Sequence, residues 1–254
     1  MTSAFSRQAS TGILRGDAQL IQIMDAALAD ATRRAGSHLA CRPGCTQCCY
    51  GAFAITPLDA LRLRTAMAAL AESNPVQAAA ISHRAHRYLE EFGPEFPGDP
   101  ETGILGVSPE EQAAFEDFAS DAPCPALHPE SGLCELYAAR PMTCRVFGPP
   151  VRMASAASVE PEQAEAEQSG AEEPGAPGEE GLAVCELCFT EASAEEIAAA
   201  EMAVPYAEEQ QLIEELQQAQ SGSPGAAETI GEAIGDTIIA YCLKLPPPDS
   251  PQLS

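Results

Sequence analysis

The sequence predicts a mainly α-helical, irregular fold with few or no strands. Apolar residues recur at helical spacing in several segments, as in the region after Asp17, where Leu20, Met24 and Leu28 follow one another. Other segments open with a capping residue followed by proline, an arrangement that is typical of helix starts. No segment shows a convincing alternation of polar and apolar residues, which is the pattern of a half-buried strand.

The expected helices follow from these signals in chain order. Thr56-Pro57, Asn74-Pro75 and Ser108-Pro109 each mark the start of a helix. Proline-rich residues between Cys124 and Phe147 instead predict turns and short pieces. Helices are expected over Asp17–His38, Pro57–Glu72, Pro75–Glu91, a short segment from Pro109, Ser193–Met202, a polar segment around Leu212, Ile213 and Leu216, and a last segment from Pro224 through Ile230, Ile234, Ile238 and Tyr241.

The stretch from Ala154 to Gly181 has a different composition. It holds eight Glu, no Lys or Arg, and Val159 as its only large aliphatic residue. Such a segment buries too little apolar surface to offset the entropy of ordering it, so the sequence predicts disorder there. We therefore expect a single cysteine-cluster domain built from residues 1–150 and 182–245, a disordered acidic insert at 151–181, and a flexible tail at 246–254.

Charge and hydropathy argue against several classes of partner. The formal net charge is −25 and Lys244 is the single lysine, so the basic clusters that bind nucleic acid or anionic membranes are missing. The first residues carry no apolar run typical of a secretory signal, and the apolar stretch Ile238–Leu245 is too short to span a bilayer. We expect a cytoplasmic protein that binds neither nucleic acid nor membrane. In that compartment cysteines are more often metal ligands or redox groups than disulfides.

Nine of the ten cysteines fall into three groups: the first is Cys41, Cys45, Cys48 and Cys49, the second is Cys124, Cys134 and Cys144, and the third is Cys185 and Cys188. In the first group, four cysteines stand beside Arg, Pro, Gly and Gln, which is not the pattern of a packed core. Pro43 and Gly44 supply the tight turn on which neighbouring thiolates can point at one ion. The sequence therefore predicts a metal cluster that organises the fold. Its ligands are expected to be Cys41, Cys45, Cys48, Cys49, Cys124, Cys134, Cys144, Cys185 and Cys188.

Cys48 and Cys49 are adjacent, and neighbouring side chains diverge. They fit two metals or a polynuclear cluster better than one tetrahedral site with Cys45, unless one of them is a ligand and the other packs. Thiol–disulfide chemistry and inert buried thiols are the alternatives to metal binding. Cys242 is set apart, because it lies in the apolar stripe of the last predicted helix and is expected to pack in the core.

The residues around the first two groups resemble the YkgJ-type cysteine-cluster family. The resemblance rests on Cys41-x3-Cys45-x2-Cys48-Cys49 followed by the Thr56-Pro57 helix, and on the run from Pro123 to Phe147. It covers roughly residues 38–190 without the insert. It implies a zinc- or iron-chelating domain, with an iron–sulfur cluster suggested for relatives, and the last two clustered cysteines match ligands that relatives carry downstream. One branch is linked to methylation of flagellin lysines, but this chain has no recognisable methyl-donor loop, so that activity is not carried over.

Charged and aromatic residues near the cysteines have two possible roles. Arg42, Arg140 and Arg145 either offset thiolate charge by hydrogen bonding to sulfur, or cap turns and pair with Asp or Glu. Tyr137 and Phe147 are expected to pack around the site and exclude water.

Four histidines are weaker candidates as ligands. His38 and His128 lie near cysteine groups and could each replace a thiolate. His83 and His86 lie three residues apart on a predicted helix, but arginines interleave with them, as on a solvated face.

Three functions are compatible with these observations. The first is a zinc- or iron-chelating protein whose metal is structural and whose surface contacts a protein partner. The second is an iron–sulfur protein that supports electron transfer or the modification of a partner. The third is a thiol redox or metal-handling protein. Zinc and iron–sulfur clusters both favour thiolates, so the preferred interpretation is metal chelation without an assigned reaction.

Overall fold

The computed structural model describes residues 2–152, 182–221 and 235–245. The chain divides into two compact units. Unit 1 contains Met1–Asp25, Cys41–Phe147 and Pro205–Ser254, and unit 2 contains Ala26–Ala40 and Gly148–Val204. The first two cysteine groups and Cys242 therefore belong to unit 1, and the third group belongs to unit 2.

Helices dominate the described residues, which confirms the predicted fold class. Single 3-10 turns occur at Gly36–His38, Gln47–Cys49, Gly93–Glu95 and Tyr137–Ala139. The α-helices are α1 (Thr2–Ala35), α2 (Pro57–Ser73), α3 (Pro75–Phe92), α4 (Pro109–Asp117), α5 (Met142–Arg145), α6 (Ala194–Ala199), α7 (Tyr206–Ser221) and α8 (Ile239–Cys242).

Three helix starts are those that the capping signals predict, whereas the expected helix over Asp17–His38 is wrong at both ends, because α1 begins at Thr2 and ends at Ala35. The Thr56 hydroxyl accepts a hydrogen bond from the Asp59 backbone N–H (3.2 Å), and the Asn74 side chain accepts one from Gln77 (3.3 Å). Ser108 and Glu111 form a reciprocal capping box at the start of α4. Each side-chain oxygen satisfies a backbone donor that the first turn of a helix leaves without a partner.

The described strands are all two residues long and antiparallel. They are β1 (Ala54–Ile55), β2 (Gly98–Asp99), β3 (Ile104–Leu105), β4 (Val151–Arg152), β5 (Leu182–Ala183) and β6 (Thr237–Ile238). In register, Ala54 faces Ile238 and Ile55 faces Thr237, while β2 pairs with β3 and β4 pairs with β5.

The prediction of one continuous last helix is wrong at Thr237 and Ile238. These two residues form β6, and only Ile239–Cys242 is helical. Thr237 and Ile238 are buried and pair with β1, so a long-range backbone ladder replaces the local helical tendency there. The earlier part of the predicted helix, residues 222–234, lies outside the described residues.

The core of unit 1 forms where α2 and α3 pack together with the C-terminal residues around α8. Leu63, Met67 and Ile81 are at most 1% exposed, as is Leu243. Each such side chain contributes about 1.5–3 kcal/mol by leaving water. The three cysteines of the second group pack against this core from its partly exposed side. The core therefore supports the cysteine-bearing loops.

Two predicted segments fall mostly or wholly where no structure is described. Within the acidic insert at 151–181, only Val151 and Arg152 are described, as β4, and the tail at 246–254 lies outside the described residues. The single cysteine-cluster domain stays a prediction. In the described part of the chain, no helix combines the length and the apolar character needed to cross a membrane.

Candidate metal centre

The first cysteine group lies on two consecutive tight turns. The Cys45 backbone N–H donates to the Arg42 carbonyl (2.9 Å), and the Cys49 N–H donates to the Thr46 carbonyl (2.8 Å). Gly44 makes the first turn possible, since its φ of +87° lies in the region that residues with a Cβ seldom adopt. The predicted Pro-Gly turn is therefore present.

Backbone pairing brings the first member of the second group to this segment. The Cys124 N–H donates to the Cys49 carbonyl (2.8 Å), and the Gly51 N–H donates to the Ala122 carbonyl (2.9 Å). Tyr50 and Pro123 form an antiparallel bridge between these bonds. Residues far apart in sequence thus become neighbours through main-chain groups alone.

A second pairing folds Cys134 back beside Cys124. The His128 N–H donates to the Leu133 carbonyl (2.9 Å), and Leu127 pairs with Cys134. At the tip of this hairpin, Gly132 has a φ of +66°. A Cβ added there would lie 3.2 Å from the Thr46 side chain, so the tip packs closely on the first cysteine turn.

Helix α3 anchors the same hairpin through a side chain that the sequence analysis assigned to a solvated face. Arg84 Nε donates to the Pro125 carbonyl (2.8 Å), and the Arg84 guanidinium pairs with Glu135. Gln77 also donates to Glu135 (3.1 Å). Each bond holds a residue next to Cys124 or Cys134, so α3 fixes both thiols in place.

Cys144 is presented by α5, whose start is tied into a buried charge network. Arg62 of α2, 8% exposed, donates to Asp17 of α1 through Nε (2.9 Å) and to Asp59 through Nη1 (2.6 Å). Asp59 Oδ1 also accepts a hydrogen bond from the Met142 backbone N–H (3.0 Å). The network therefore joins two helices to the first residue of α5.

Arg140 and Arg145 complete this anchor. Arg145 Nε donates to the Arg140 carbonyl (3.1 Å), and its guanidinium also reaches the Ala138 carbonyl (2.6 Å) and the Asp25 carboxylate. Arg145 is 1% exposed. Of the two roles predicted for it, turn capping with acid pairing is therefore the one observed.

Two arginines act on the clustered thiols, and Arg84 is one of them, since its charge lowers the pKa of Cys124 against the larger effect of burial. Arg140 is the other. Its positive charge lowers the pKa of Cys48 and Cys134, against larger effects that raise both. Its guanidinium lies 3.9 Å from the centre of the Tyr137 ring. Tyr137 itself is 61% exposed, so the prediction that it would exclude water is wrong. Phe147 packs against Phe53 with ring centres 5.5 Å apart.

Five thiols from the first two groups influence one another electrostatically. Cys48 donates a hydrogen bond to Cys49, which raises the pKa of Cys48 and lowers that of Cys49. The expected divergence of these adjacent side chains is therefore wrong for this 3-10 turn. Burial raises the pKa of Cys124 to about 12, and also raises the pKa of Cys134 and Cys144, with mutual repulsion adding to each.

The two remaining thiols of the first group are less enclosed. Cys41 is exposed and Cys45 is partly buried, on the turn that precedes Cys48. Nearby, His128 Nδ1 accepts backbone N–H groups of Glu130 (3.3 Å) and Ser131 (3.2 Å), which occupies that ring nitrogen in holding the hairpin tip.

In unit 2, the third cysteine group also forms a turn. The Cys188 N–H donates to the Cys185 carbonyl (2.8 Å), and the Ala40 N–H donates to Cys188 Sγ (3.4 Å). His38 stacks on Phe189 with ring centres 5.4 Å apart, and its Nε2 lies 3.7 Å from the Glu196 carboxylate. Cys188 is 4% exposed. Backbone N–H groups that point at sulfur stabilise a thiolate.

Cys242 lies in the core, which confirms its predicted packing role. It is 2% exposed, and its thiol contacts the Ile238 carbonyl (3.8 Å).

Of the two histidines on α3, His86 contacts its own helix, because its Nδ1 lies 3.0 Å from the Ser82 carbonyl.

The donor set fits a thiophilic metal in its chemistry. All ten cysteines are described, and each is a free thiol. Among the described residues, no three His, Cys, Asp or Glu side chains already stand in ligand geometry. The five interacting thiols are soft donors on loops held by backbone bonds, with Arg140 beside them, which is the environment that zinc or iron requires.

The buried network of Asp17, Asp59 and Arg62 was missed by the sequence analysis. A signal for it exists, since Asp17 lies on the same helical face as Leu20 and Met24, and Arg62 follows Leu58 by one turn. A charged residue on an apolar helical face is usually buried with a partner.

A comparison with protein families identifies this chain. It belongs to the family CxxCxxCC, described as a "Putative zinc- or iron-chelating domain", whose model matches residues 40–167. The match confirms the resemblance to the cysteine-cluster family and spans half of the 254 residues. It includes the first two cysteine groups and leaves out the third. Neither the curated proteins nor the solved structures contain a match.

Proposed function

We propose that this protein holds zinc or iron through thiolates of its cysteine cluster. The observation that supports this best is the assembly of five thiols, from three separate segments, within electrostatic range of one another. We propose Cys48, Cys49, Cys124, Cys134 and Cys144 as the ligands at its centre. Cys41 and Cys45 lie on the adjoining turn and complete the set in unit 1. Cys185 and Cys188, which belong to unit 2, are proposed as further metal ligands.

The protonation of these thiols defines what metal binding must do. Burial raises the pKa of Cys124, Cys134 and Cys144, so they are neutral near pH 7 without metal. A bound cation reverses this preference, because a thiol that coordinates a metal gives up its proton. Binding should therefore release several protons. The Arg140 guanidinium offsets part of the resulting negative charge.

Metal content of the purified protein tests this proposal. Elemental analysis of wild-type protein should find zinc or iron, and replacing Cys124 or Cys144 by serine should reduce the metal bound per chain. Cys242→Ala is the matched control, since Cys242 is a buried thiol of unit 1 with a core packing role. Equal metal content in the Cys144→Ser and Cys242→Ala proteins would argue against the proposal.

An iron–sulfur cluster is a second candidate, favoured by the number of thiols. Nine clustered cysteines exceed the four that a single tetrahedral zinc uses. Such a cluster would support electron transfer or the modification of a partner. Anaerobically purified protein would then be brown, with labile sulfide and visible charge-transfer absorption. Colourless protein with stoichiometric zinc would exclude this candidate.

Thiol redox chemistry is a third candidate, and the Cys48–Cys49 pair favours it. The hydrogen bond from Cys48 lowers the pKa of Cys49, and a thiolate is the reactive form of cysteine. Selective alkylation of Cys49 in metal-free protein would support this function.

A protein partner is also proposed, because Tyr50 (47% exposed), Leu133 (48%) and Tyr137 (61%) place apolar surface beside the cluster.

A further inference from the structure

Helix α7 carries a buried acid that the metal centre does not use. Glu209 lies in its first turn and is only 8% exposed. Within the described residues, its Oε1 atom has no hydrogen-bond partner, and neither has Oδ2 of Asp59. A buried carboxylate without a donor is costly, and it commonly takes up a proton instead.

The charged groups that influence Glu209 are mostly acidic. Asp59 and Arg62 on α2, Asp17 on α1 and Asp236 before β6 all act electrostatically on the Glu209 carboxyl, and Glu209 in turn raises the pKa of Tyr206 on its own helix. Arg62 is the only cation in this set. Its donors are already directed at Asp17 and Asp59 and at the Arg140 carbonyl. Glu209 therefore adds a further acid to a network whose one arginine already donates its hydrogen bonds to other groups.

Hydrogen bonding decides which acid carries the proton. Asp59 Oδ1 accepts bonds from Arg62 (2.6 Å) and from the Met142 N–H (3.0 Å), and such bonds stabilise its charged form. Oε1 of Glu209 receives none. In agreement, burial raises the pKa of Glu209 to about 7, and the Asp59 charge contributes. Burial also raises the pKa of Asp59 and of Asp236, and the bonds to Asp59 oppose that rise. Glu209, whose Oε1 receives no bond, is the acid to which we assign the charge change near neutral pH.

The same network holds the segment that carries Cys144. Asp59 accepts the Met142 N–H at the start of α5, and Arg62 Nη1 donates to the Arg140 carbonyl (3.4 Å). When Glu209 ionises, it repels Asp59 and competes with it for Arg62. Both bonds to the Arg140–Met142 backbone are then weakened.

We propose that Glu209 is a proton-linked switch on the metal centre. The protonated form lets Asp59 and Arg62 hold the Cys144 segment, and loss of the proton to solvent loosens it. Retention of metal then depends on pH through this residue. The metal part of this inference rests on the proposed function, whereas the loosening of residues 137–147 does not.

The test compares Glu209→Gln with wild type. Glutamine imitates the protonated acid, so the variant should lack the switch. Glu208→Gln is the control, because Glu208 lies in the same first turn but is exposed. Amide hydrogen exchange over 137–147 in metal-free protein, corrected for intrinsic rates, should accelerate in wild type by at most roughly tenfold per pH unit as the pH passes about 7. The control should behave as wild type, and Glu209→Gln should not respond.

Zinc affinity gives the second readout, from competition with a chromophoric chelator. Thiol titration strengthens binding at higher pH in every protein, so the ratio of the two affinities is the measured quantity. The zinc affinity of Glu209→Gln, divided by that of wild type, should rise by up to about tenfold between about pH 6 and about pH 8. Parallel pH responses in the two proteins would overturn the switch. Absence of zinc binding in both, at every pH, would instead contradict the proposed function alone.

Infrared spectroscopy keeps the inference testable even if Glu209→Gln does not fold. Wild-type protein should lose a buried carboxylic-acid C=O stretching band over the same pH range. A spectrum without that loss would overturn the switch directly.

Discussion

Replacing Arg62 by methionine tests the buried network that anchors α5. Arg62 is 8% exposed, and its bonds to Asp17 (2.9 Å) and Asp59 (2.6 Å) satisfy two acids that are 5% and 0% exposed. Methionine preserves much of the volume but removes the charge. The buried carboxylates of Asp17 and Asp59 then lose the arginine that they share. Removing one partner of a buried ion pair destabilises proteins by about 3–5 kcal/mol. That is a large part of a typical domain stability of about 5–15 kcal/mol.

The assay is urea unfolding of metal-free protein at several pH values. Burial raises the pKa of Asp59, and Arg62 opposes that rise, so the variant should raise it further. An acid whose folded pKa lies above its unfolded value stabilises the fold when protonated, and this contribution is lost as the pH rises through the folded pKa. The difference between variant and wild type should therefore be smallest in acid and largest at neutral pH.

Two controls separate charge from packing. Arg33→Met removes an ion pair whose side chains are exposed, Arg33 by 72% and Asp30 by 50%. The variant should lose no more than about 1 kcal/mol of unfolding free energy. Adding Asp17→Asn to Arg62→Met removes one of the stranded charges and should restore part of the stability. Equal losses for Arg62→Met and Arg33→Met would refute the reasoning, as would a double variant that is less stable than the single one.

Three further outcomes are expected. A strong chelator should lower the melting temperature of protein as purified, because structural metal sites contribute about 10–16 kcal/mol of apparent binding energy; an unchanged melt in verified metal-free protein would show that metal does not organise the fold. Cys242→Ala should cost on the order of 1 kcal/mol and keep its metal, whereas Cys48→Ser should lose metal; the reverse result would contradict the ligand assignment. Replacing residues 154–181 by a short Gly/Ser linker should leave metal content and helicity intact, as their composition predicts, and loss of either would make the segment structural.

Local signals in the sequence were sufficient for several helix starts and for a metal-chelating domain. Thr56, Asn74 and Ser108 start helices through bonds to backbone groups three residues away, so a short window contains the whole interaction. The density of cysteines around Pro43 and Gly44 likewise indicated metal chelation, which the family match supports. Such inferences hold because the partners are close in sequence.

The last helix shows where local signals fail. Thr237 and Ile238 fit a helical period, but β1 offers them a backbone ladder. A strand pair depends on a partner far away in the chain, and no short window contains it. The adjacent thiols of Cys48 and Cys49 failed in a similar way, because a 3-10 turn brings together side chains that diverge in extended backbone.

By itself, the sequence determined the helical class, the helix starts at Thr56, Asn74 and Ser108, and the cysteines proposed as metal ligands. Tertiary structure alone decided which thiols become neighbours, through main-chain bonds such as that from Cys124 to Cys49. It also decided that Arg84 anchors the cysteine hairpin and that Arg62 and Glu209 are buried with acids. Capping and periodicity are set within about one helical turn. The burial and pairing of a charge depend instead on every segment that packs around it, which only the folded chain specifies.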